Sequence, residues 1–229
     1  MTTTIHWDDA FPLLRLEGKG ARDFLQGQTT ADLSGLVDGE LQQSCWLTAT
    51  GRLRALLELR LDATGADVLV LAGDGEAVRG GFDQVIFPAD RVRLNASRRQ
   101  RRVQGLDPVG PAFWLGKDQP LPEELNASTQ LESDALERHR LQQGFPPGPA
   151  EMNGQTKPLE LGVSGRISRD KGCYLGQETM AKLPGKRGVK QQLRCWHSEQ
   201  PLHPGDQLNV GSDRAGTITS ALSHPGAAL

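Results

Sequence analysis

The sequence predicts an α+β fold in which helices cover one face of an antiparallel sheet. From Leu53 to Asp62, apolar and charged side chains alternate, and this period of two predicts a strand with one buried face. Thr64-Gly65-Ala66 then turns the chain back into the apolar run Val68 to Ala72, completing a hairpin. Apolar residues at helical spacing from Val78 to Ile86 predict a helix that ends before Pro88.

Two shorter elements are predicted before this hairpin. Phe11 to Glu17 has the pattern of a strand, and Gly20 to Gln26 has that of a helix with Gly27 as its C-cap. Thr29 and Thr30 follow. Their side chains either cap the next turn, which is the interpretation we favour, or offer hydroxyls to a ligand.

One basic run follows the central elements. Arg91 to Leu94 is predicted to form a strand, and three residues later comes the run Arg98-Arg99-Gln100-Arg101-Arg102. Four arginines could bind RNA or an acidic partner. Because no aromatic residue interrupts the run, we favour a solvated strand edge, where positive charges also oppose aggregation.

The last third of the chain contains a helix and a set of short strands. Ser133 to Gln143 is predicted to be helical, with Gly144 as its C-cap and His139 as a surface partner of the helix dipole. From Leu193 onward, short runs separated by turns predict a small all-β unit with too few strands to close a barrel. We therefore expect an α+β region of two interwoven modules at residues 1–192 and the start of a β-barrel domain at 193–229.

The composition is that of an ordinary globular protein. The chain has 229 residues, 37% of them hydrophobic, and a net charge of -2, which gives no general attraction to nucleic acid. The start lacks the pattern of a signal peptide, and no apolar run is long enough to cross a bilayer. We expect a cytoplasmic protein without DNA or membrane partners, and RNA is a disfavoured partner.

Three cysteines occur without metal-binding spacing. Cys45, Cys173 and Cys195 form neither a CxxC motif nor a Cys/His cluster, so we expect no metal site. Cys45 and Cys195 each precede a tryptophan within apolar sequence, and both are predicted to pack in the interior.

The stretch from Lys171 to Glu178 is the strongest candidate for a functional site, because it gathers an amine, a thiol, a phenol, an amide and a carboxylate within eight residues. A helix is predicted to begin near Cys173 or Tyr174. A thiol at a helix N-terminus, two residues from an ammonium, is favoured as the reactive thiolate, so Cys173 and Lys171 are candidate catalytic residues. The alternative is that Cys173 is a buried, inert thiol.

Neighbouring side chains would complete this site. Tyr174 and Gln177 are predicted to orient it, and Glu178 is predicted to cap the helix or contact a ligand. Downstream, Lys182, Lys186, Arg187 and Lys190 surround two glycines and could hold an anionic ligand tail, although solvated lysines are the default interpretation.

The motif Lys171-Gly172-Cys173-Tyr174-Leu175-Gly176-Gln177-Glu178 resembles the signature of the YgfZ folate-binding proteins, which are related to the glycine-cleavage T-protein, an aminomethyltransferase. The resemblance extends over most of residues 11–222. It includes the block Phe24 to Asp32, the turn Gly51-Arg52-Leu53, the segment Pro158 to Gly162, and the run Gly188 to Leu193.

This resemblance implies a ring of ferredoxin-like α+β modules followed by a C-terminal β-barrel, which is incomplete here. It also implies that tetrahydrofolate, or a folate derivative, is the cofactor and that the protein acts in iron-sulfur cluster assembly or repair, alongside iron-sulfur enzymes. In such a site Glu160 would accept two hydrogen bonds from the pterin, while Thr29, Tyr174, Gln177 and Glu178 would contribute further contacts. Arg187 or its lysine neighbours would neutralise the glutamate tail.

One departure from the family leaves alternatives open. The T-protein has an aspartate, required for aminomethyl transfer, after the turn into the long strand. The matching stretch here, Arg52 to Leu57, contains no acid. A folate-dependent one-carbon transferase is therefore the second hypothesis, and an RNA- or protein-interaction module using Arg98 to Arg102 is the third.

Overall fold

The computed structural model describes residues 4–181, 189–222 and 226–229, and it contains one large sheet, two small sheets and four α-helices within these ranges. The strands are β1 (Ile5–Glu17), β2 (Leu41–Leu47), β3 (Leu53–Asp62), β4 (Gly65–Gly73), β5 (Arg93–Leu94), β6 (Arg98–Asp107), β7 (Val109–Leu115), β8 (Thr129–Gln130), β9 (Trp196–Ser198), β10 (Gln207–Val210), β11 (Asp213–Thr217) and β12 (Gly226–Ala228). The helices are α1 (Ala21–Gln28), α2 (Gly75–Asp83), α3 (Ser133–Gln143) and α4 (Gln177–Ala181).

The long strand β1 is the centre of the large sheet. The strand order is β2-β3-β4-β1-β6-β7, and the short strands β5 and β8 also pair with β1. All these ladders are antiparallel except the one between β1 and β8. The β1–β6 ladder is the longest, running from Ile5 opposite Asp107 to Leu13 opposite Arg98.

The predicted hairpin is confirmed, but its first strand is more deeply buried than its pattern indicates. β3 and β4 pair in antiparallel register from Ala55 opposite Gly73 to Asp62 opposite Gly65. In the middle of β3, however, Leu56 and Glu58 are as buried as Leu57. The prediction of a half-buried strand is wrong there, because protein covers both faces of the sheet.

Helices α1 and α2 cover one face, as the sequence predicts. Phe24 of α1 and Trp46 of β2 both pack edge-to-face against Phe82 of α2, with ring centroids 5.6 and 5.5 Å away. Asp74 caps α2 by accepting hydrogen bonds from the backbone amides of Glu76 and Ala77. The predicted end of α1 is wrong, since Gly27 lies inside the helix.

The opposite face is covered largely by irregular chain from the segment 145–180. Leu161, Val163, Tyr174 and Met180 join Leu56 of β3 in a second apolar core. This arrangement places the Lys171–Glu178 motif against the sheet, on the face that α1 and α2 leave open.

The basic run is not a solvated edge, so that prediction is wrong. Arg98 to Arg102 belong to β6, which pairs with β1 on one side and β7 on the other. Arg102 is only 1% exposed. The sequence shows the charges of the run but not the acidic residues elsewhere in the chain that neutralise them.

The predicted helix Ser133–Gln143 is confirmed as α3, and Gly144 ends it with a φ of +64°. The chain after residue 193 forms two ladders of two strands each, β9 with β12 and β10 with β11. This result agrees with a short β unit that does not close into a barrel among the described residues. No helix in the described ranges is long and apolar enough to span a bilayer.

Candidate functional site

A cavity of about 430 Å³ lies where β1 and β6 face helix α3. Its walls include aromatic, aliphatic and polar side chains. Trp7, Gln43, Gln104, Leu106, Val109, Ser133, Leu136, Glu137, His139, Arg140, Gln143, Phe145, Pro146 and Arg166 line it. A volume of this size, with polar side chains set among aromatic and aliphatic ones, is suited to a small molecule.

Two of the three amides that line the cavity are held in fixed orientations. Gln43 donates from Nε2 to Glu58 Oε2 (3.1 Å) and accepts from Arg166 Nε at its Oε1 (2.7 Å). Gln104 accepts from Arg102 Nη2 at 2.9 Å and donates to the carbonyl of Gly110 at 2.9 Å. Because both ends of each amide are bonded, neither can flip without losing a hydrogen bond.

A buried ion pair behind the cavity wall organises these amides. Arg102 Nε and Nη2 each donate to Glu58 at 2.8 Å, and Trp114 Nε1 donates to the same carboxylate at 2.7 Å. Burial acts to raise the pKa of Glu58, but hydrogen bonds and charge from Arg102 outweigh it and hold the pKa below its ordinary value. Glu58 therefore remains a carboxylate, only 2% exposed.

Two buried donors near this ion pair have no acceptor. Within the described ranges, neither Arg102 Nη1 nor Trp7 Nε1 makes a hydrogen bond. The Arg102 guanidinium lies 5.7 Å from the Trp7 ring centroid, so the two groups are neighbours. Buried donors without partners are uncommon, which marks this wall as unusual for a purely structural interior.

Arg166 forms another part of the wall. Its guanidinium stacks 4.1 Å from the centroid of the Phe145 ring, and burial lowers its pKa. Its backbone carbonyl accepts from the Thr30 hydroxyl at 2.7 Å. Both ends of this residue are thus fixed to other parts of the fold.

Lys171, which the sequence predicts to be catalytic, is buried and hydrogen-bonded within the fold. Its ammonium donates to the carbonyls of Thr29 (2.8 Å) and Ala31 (2.6 Å), and its nitrogen lies 5.2 Å from the Tyr174 ring centroid. Burial lowers its pKa to about 8, against a smaller opposing effect from Asp32. The side chain fastens its loop to the end of α1.

Cys173 lies on the loop that precedes helix α4. Helix α4 begins at Gln177, so Cys173 lies outside its first turn, and the prediction of a helix start near Cys173 or Tyr174 is wrong. The glycine at 176, with a φ of +84°, separates this loop from the helix. Cys173 is exposed, which excludes the alternative of a buried thiol.

The other motif residues have different surroundings. Tyr174 is buried in the core, Gln177 Nε2 donates to the carbonyls of Lys171 and Gly172, and Glu178 is exposed. Thr29 is fully buried, and its hydroxyl donates to the carbonyl of Leu25 at 2.9 Å. None of these four residues lines the cavity.

Glu160 is buried, and its Oε2 accepts from the backbone amide of Lys157 at 2.8 Å. This contact caps a local turn. Arg187, Lys182 and Lys186 lie outside the described residues. Cys45 is buried as predicted, and burial raises its pKa to about 12, whereas Cys195 is partly exposed.

The residues that form the cavity were missed in the sequence. The alternation in β3 predicts an exposed Glu58, and the basic run predicts a solvated Arg102. Both are buried, because protein covers both faces of their strands. Arg166 has no local signal, because its partners Gln43 and Phe145 come from distant parts of the chain. Among the described residues, no group of three or more His, Cys, Asp or Glu is arranged to hold a metal ion.

Comparison with solved structures defines the class of fold. The glycine cleavage system aminomethyltransferase T from Bartonella henselae superposes with a TM-score of 0.74 at 15% identity, covering 99% of this chain and 77% of that one. The protein therefore has the aminomethyltransferase fold, and the predicted α+β class is confirmed.

Relatives in sequence indicate the family within this class of fold. The tRNA-modifying protein YgfZ of Colwellia psychrerythraea is 25% identical over 91% of this chain and 78% of its own length. A chloroplastic protein of Arabidopsis thaliana with a provisional transferase name is 23% identical over 92% of this chain, which spans only 60% of that protein. No family model matches the sequence. Fold and relatives together support the YgfZ/GcvT-like family, as the motif predicts.

Proposed function

We propose that this protein binds tetrahydrofolate in the cavity between β1, β6 and α3, as an accessory protein of the YgfZ type. One observation carries the proposal: an aminomethyltransferase fold contains a cavity of about 430 Å³ with aromatic walls and two amides in fixed orientations. Tetrahydrofolate carries one-carbon units when bound. The residues of this chain would bind and orient it.

The chemistry of the lining fits a reduced pteridine. Trp7 and Phe145 offer flat apolar surface to a planar ring. Gln43 and Gln104 each keep one amide hydrogen and one oxygen lone pair beyond their internal bonds. Gln104 can therefore pair with the ring nitrogens and the exocyclic amine, and Gln43 with the amide that joins the aminobenzoyl group to the glutamate.

Glu160 is the competing anchor for the pterin. A carboxylate can accept two hydrogen bonds at once, which suits the edge of a pterin. One of its oxygens is already bonded to Lys157, so binding the ring at Glu160 would compete with that turn. Lys171 then has a supporting role, since its ammonium fastens the chain after Arg166 to the carbonyls of Thr29 and Ala31.

We further propose that the protein serves iron-sulfur enzymes or their assembly, with exposed Cys173 as the group that meets the partner. An exposed thiol is available to a second protein without rearrangement of the fold. Several relatives are named for tRNA modification, so enzymes of that process are candidate clients. In cells, Cys173→Ala should abolish the activity of these clients while leaving tetrahydrofolate affinity unchanged. Retained activity would remove the role of this thiol.

The alternatives have weaker support. Transfer of an aminomethyl group requires an acid that Arg52 to Leu57 does not supply. An RNA site on the basic run is disfavoured because its arginines are engaged internally: Arg101 and Arg102 pair with Asp8 and Glu58. Salt-sensitive RNA binding that Arg98 and Arg99 substitutions weaken would restore that hypothesis.

The direct test is a titration with tetrahydrofolate under anaerobic conditions, followed by tryptophan fluorescence and calorimetry. We expect saturable binding in the parent protein, weakened by Gln104→Leu and unchanged by the exposed-site control Glu178→Gln. Glu160→Gln distinguishes the two candidate anchors of the pterin, Glu160 and the cavity amides. An affinity equal to that of the parent would favour the cavity amides. Absence of saturable binding in the parent would overturn the proposed function.

A further inference from the structure

A second cavity adjoins the first. It measures about 380 Å³ and is lined in part by Leu161, Leu193 and Cys195. Gln143, Phe145 and Arg166 line both cavities. The stacked side chains of Phe145 and Arg166 therefore form the wall that the two spaces share.

The charge of Arg166 is not neutralised by a carboxylate. Among the residues that the structure describes, it forms no ion pair within 4.0 Å, and its two terminal nitrogens make no hydrogen bond. The other arginine in the first cavity, Arg140, differs in this respect, because it pairs with Glu137 at 2.7 Å and Glu151 at 3.1 Å. Glu58 contributes some attraction at a distance but is already paired with Arg102.

The orientation of the Arg166 guanidinium is fixed in advance. Its Nε donates to Gln43, whose other end is held by Glu58, and its plane lies over the Phe145 ring. A guanidinium held through Nε and one face retains its terminal N–H groups for a planar acceptor with two oxygens. Partial burial strengthens such an interaction by lowering the local dielectric.

We infer that Arg166 is the anion-recognising residue of this site and binds a carboxylate of the ligand at the wall between the two cavities. The inference rests on the proposed function, which supplies a ligand with both a planar ring and carboxylates. The pteridine ring occupies the space beside Trp7. One carboxylate of the glutamate binds Arg166, and the rest of the glutamate extends toward the second cavity.

The test compares two ligands and three variants by calorimetry. Tetrahydrofolate carries the glutamate, whereas tetrahydropteroyl amide has the same ring systems with neither the glutamate nor a free carboxylate. Arg166→Gln removes the charge and keeps a donor, and Arg166→Lys keeps the charge without the fork. Arg169→Gln is the matched control, since it removes an exposed positive charge three residues away. Thermal unfolding of each variant checks that the fold is retained.

We expect the parent and Arg169→Gln to prefer tetrahydrofolate by about 10- to 100-fold, the range for hydrogen bonds to a charged group. Arg166→Gln should abolish this preference, and Arg166→Lys should retain part of it. An equal loss of affinity for both ligands in Arg166→Gln would make Arg166 a packing residue. If the parent binds both ligands equally, the inference fails and the proposed function stands; if it binds neither, both fail.

Discussion

Glu58 and Arg102 form a two-point ion pair, with both N–O distances at 2.8 Å, in a part of the sheet where neither side chain is more than 2% exposed. The pair joins β3 to β6 across the sheet face and orients Gln43 and Gln104 toward the cavity. A buried pair of this kind is costly to break, because removing one partner leaves the other charge unsolvated.

Glu58→Gln should therefore destabilise the protein by about 3 to 5 kcal/mol in urea unfolding. The matched control is Glu17→Gln, which removes an acid whose ion pair with Arg93 is exposed at both partners. We expect that control to cost much less, since solvent screens exposed pairs. Similar losses in the two variants would contradict the energetic distinction between them.

The stability of the protein should depend on Lys171 at alkaline pH. Its pKa falls to about 8 in the folded protein, against 10.5 without burial, so the folded state releases this proton first. The contribution of this lowered pKa to the free energy of unfolding is fully present above pH 10.5 and is lost as the pH falls through 8. The free energy of unfolding of the parent should thus rise relative to that of Lys171→Met between these values. Parallel pH profiles of the unfolding free energy for the parent and Lys171→Met would exclude a lowered pKa of Lys171.

Two of the thiols, Cys173 and Cys45, should react in the order of their exposure. Iodoacetamide should modify Cys173 in the native protein, whereas Cys45, which is 0% exposed and has its pKa raised to about 12 by burial, should react only after unfolding. Peptide mass spectrometry over a time course measures the extent of labelling at Cys173 and at Cys45. Cys173→Ala should change the unfolding free energy by no more than about 0.5 kcal/mol. Rapid native labelling of Cys45 would show that this core opens.

Glycine at position 176 is required by both backbone angle and space. Its φ is +84°, and an added Cβ would lie 2.6 Å from the carbonyl oxygen of Thr48. Gly162 has a similar φ of +74° with no neighbour within 4 Å, so it is a matched control for backbone strain alone. Gly162→Ala should cost about 1 to 2 kcal/mol, and Gly176→Ala should cost more in the same unfolding assay. Equal costs would mean that Thr48 moves freely.

Local patterns in the sequence predicted the elements whose partners lie close in the chain. The hairpin of β3 and β4 and the bounds of α3 follow from periodicity, turn residues and a C-terminal glycine. The aminomethyltransferase-like class followed from the Lys171–Glu178 motif and is supported by the fold. Strand burial on the second face was missed, because the segment that covers it is far away in the sequence.

The site was predicted less well for the same reason. Lys171 and Cys173 are neighbours in sequence, which suggested that the ammonium acts on the thiol. The fold instead directs the ammonium to carbonyls at the end of α1 and leaves the thiol exposed. Arg166 gains its significance from Gln43 and Phe145, and no periodic or spacing rule brings those residues together.

The position of β1 in the large sheet has a consequence for synthesis on the ribosome. β1 is translated before β4, β6 and β8, which pair with it and emerge progressively later. Until they emerge, the nascent chain carries a strand with unpaired edges, a state that invites association with other chains. Transient shielding of residues 5–17 by a chaperone would favour productive folding, and slow translation would lengthen the exposure.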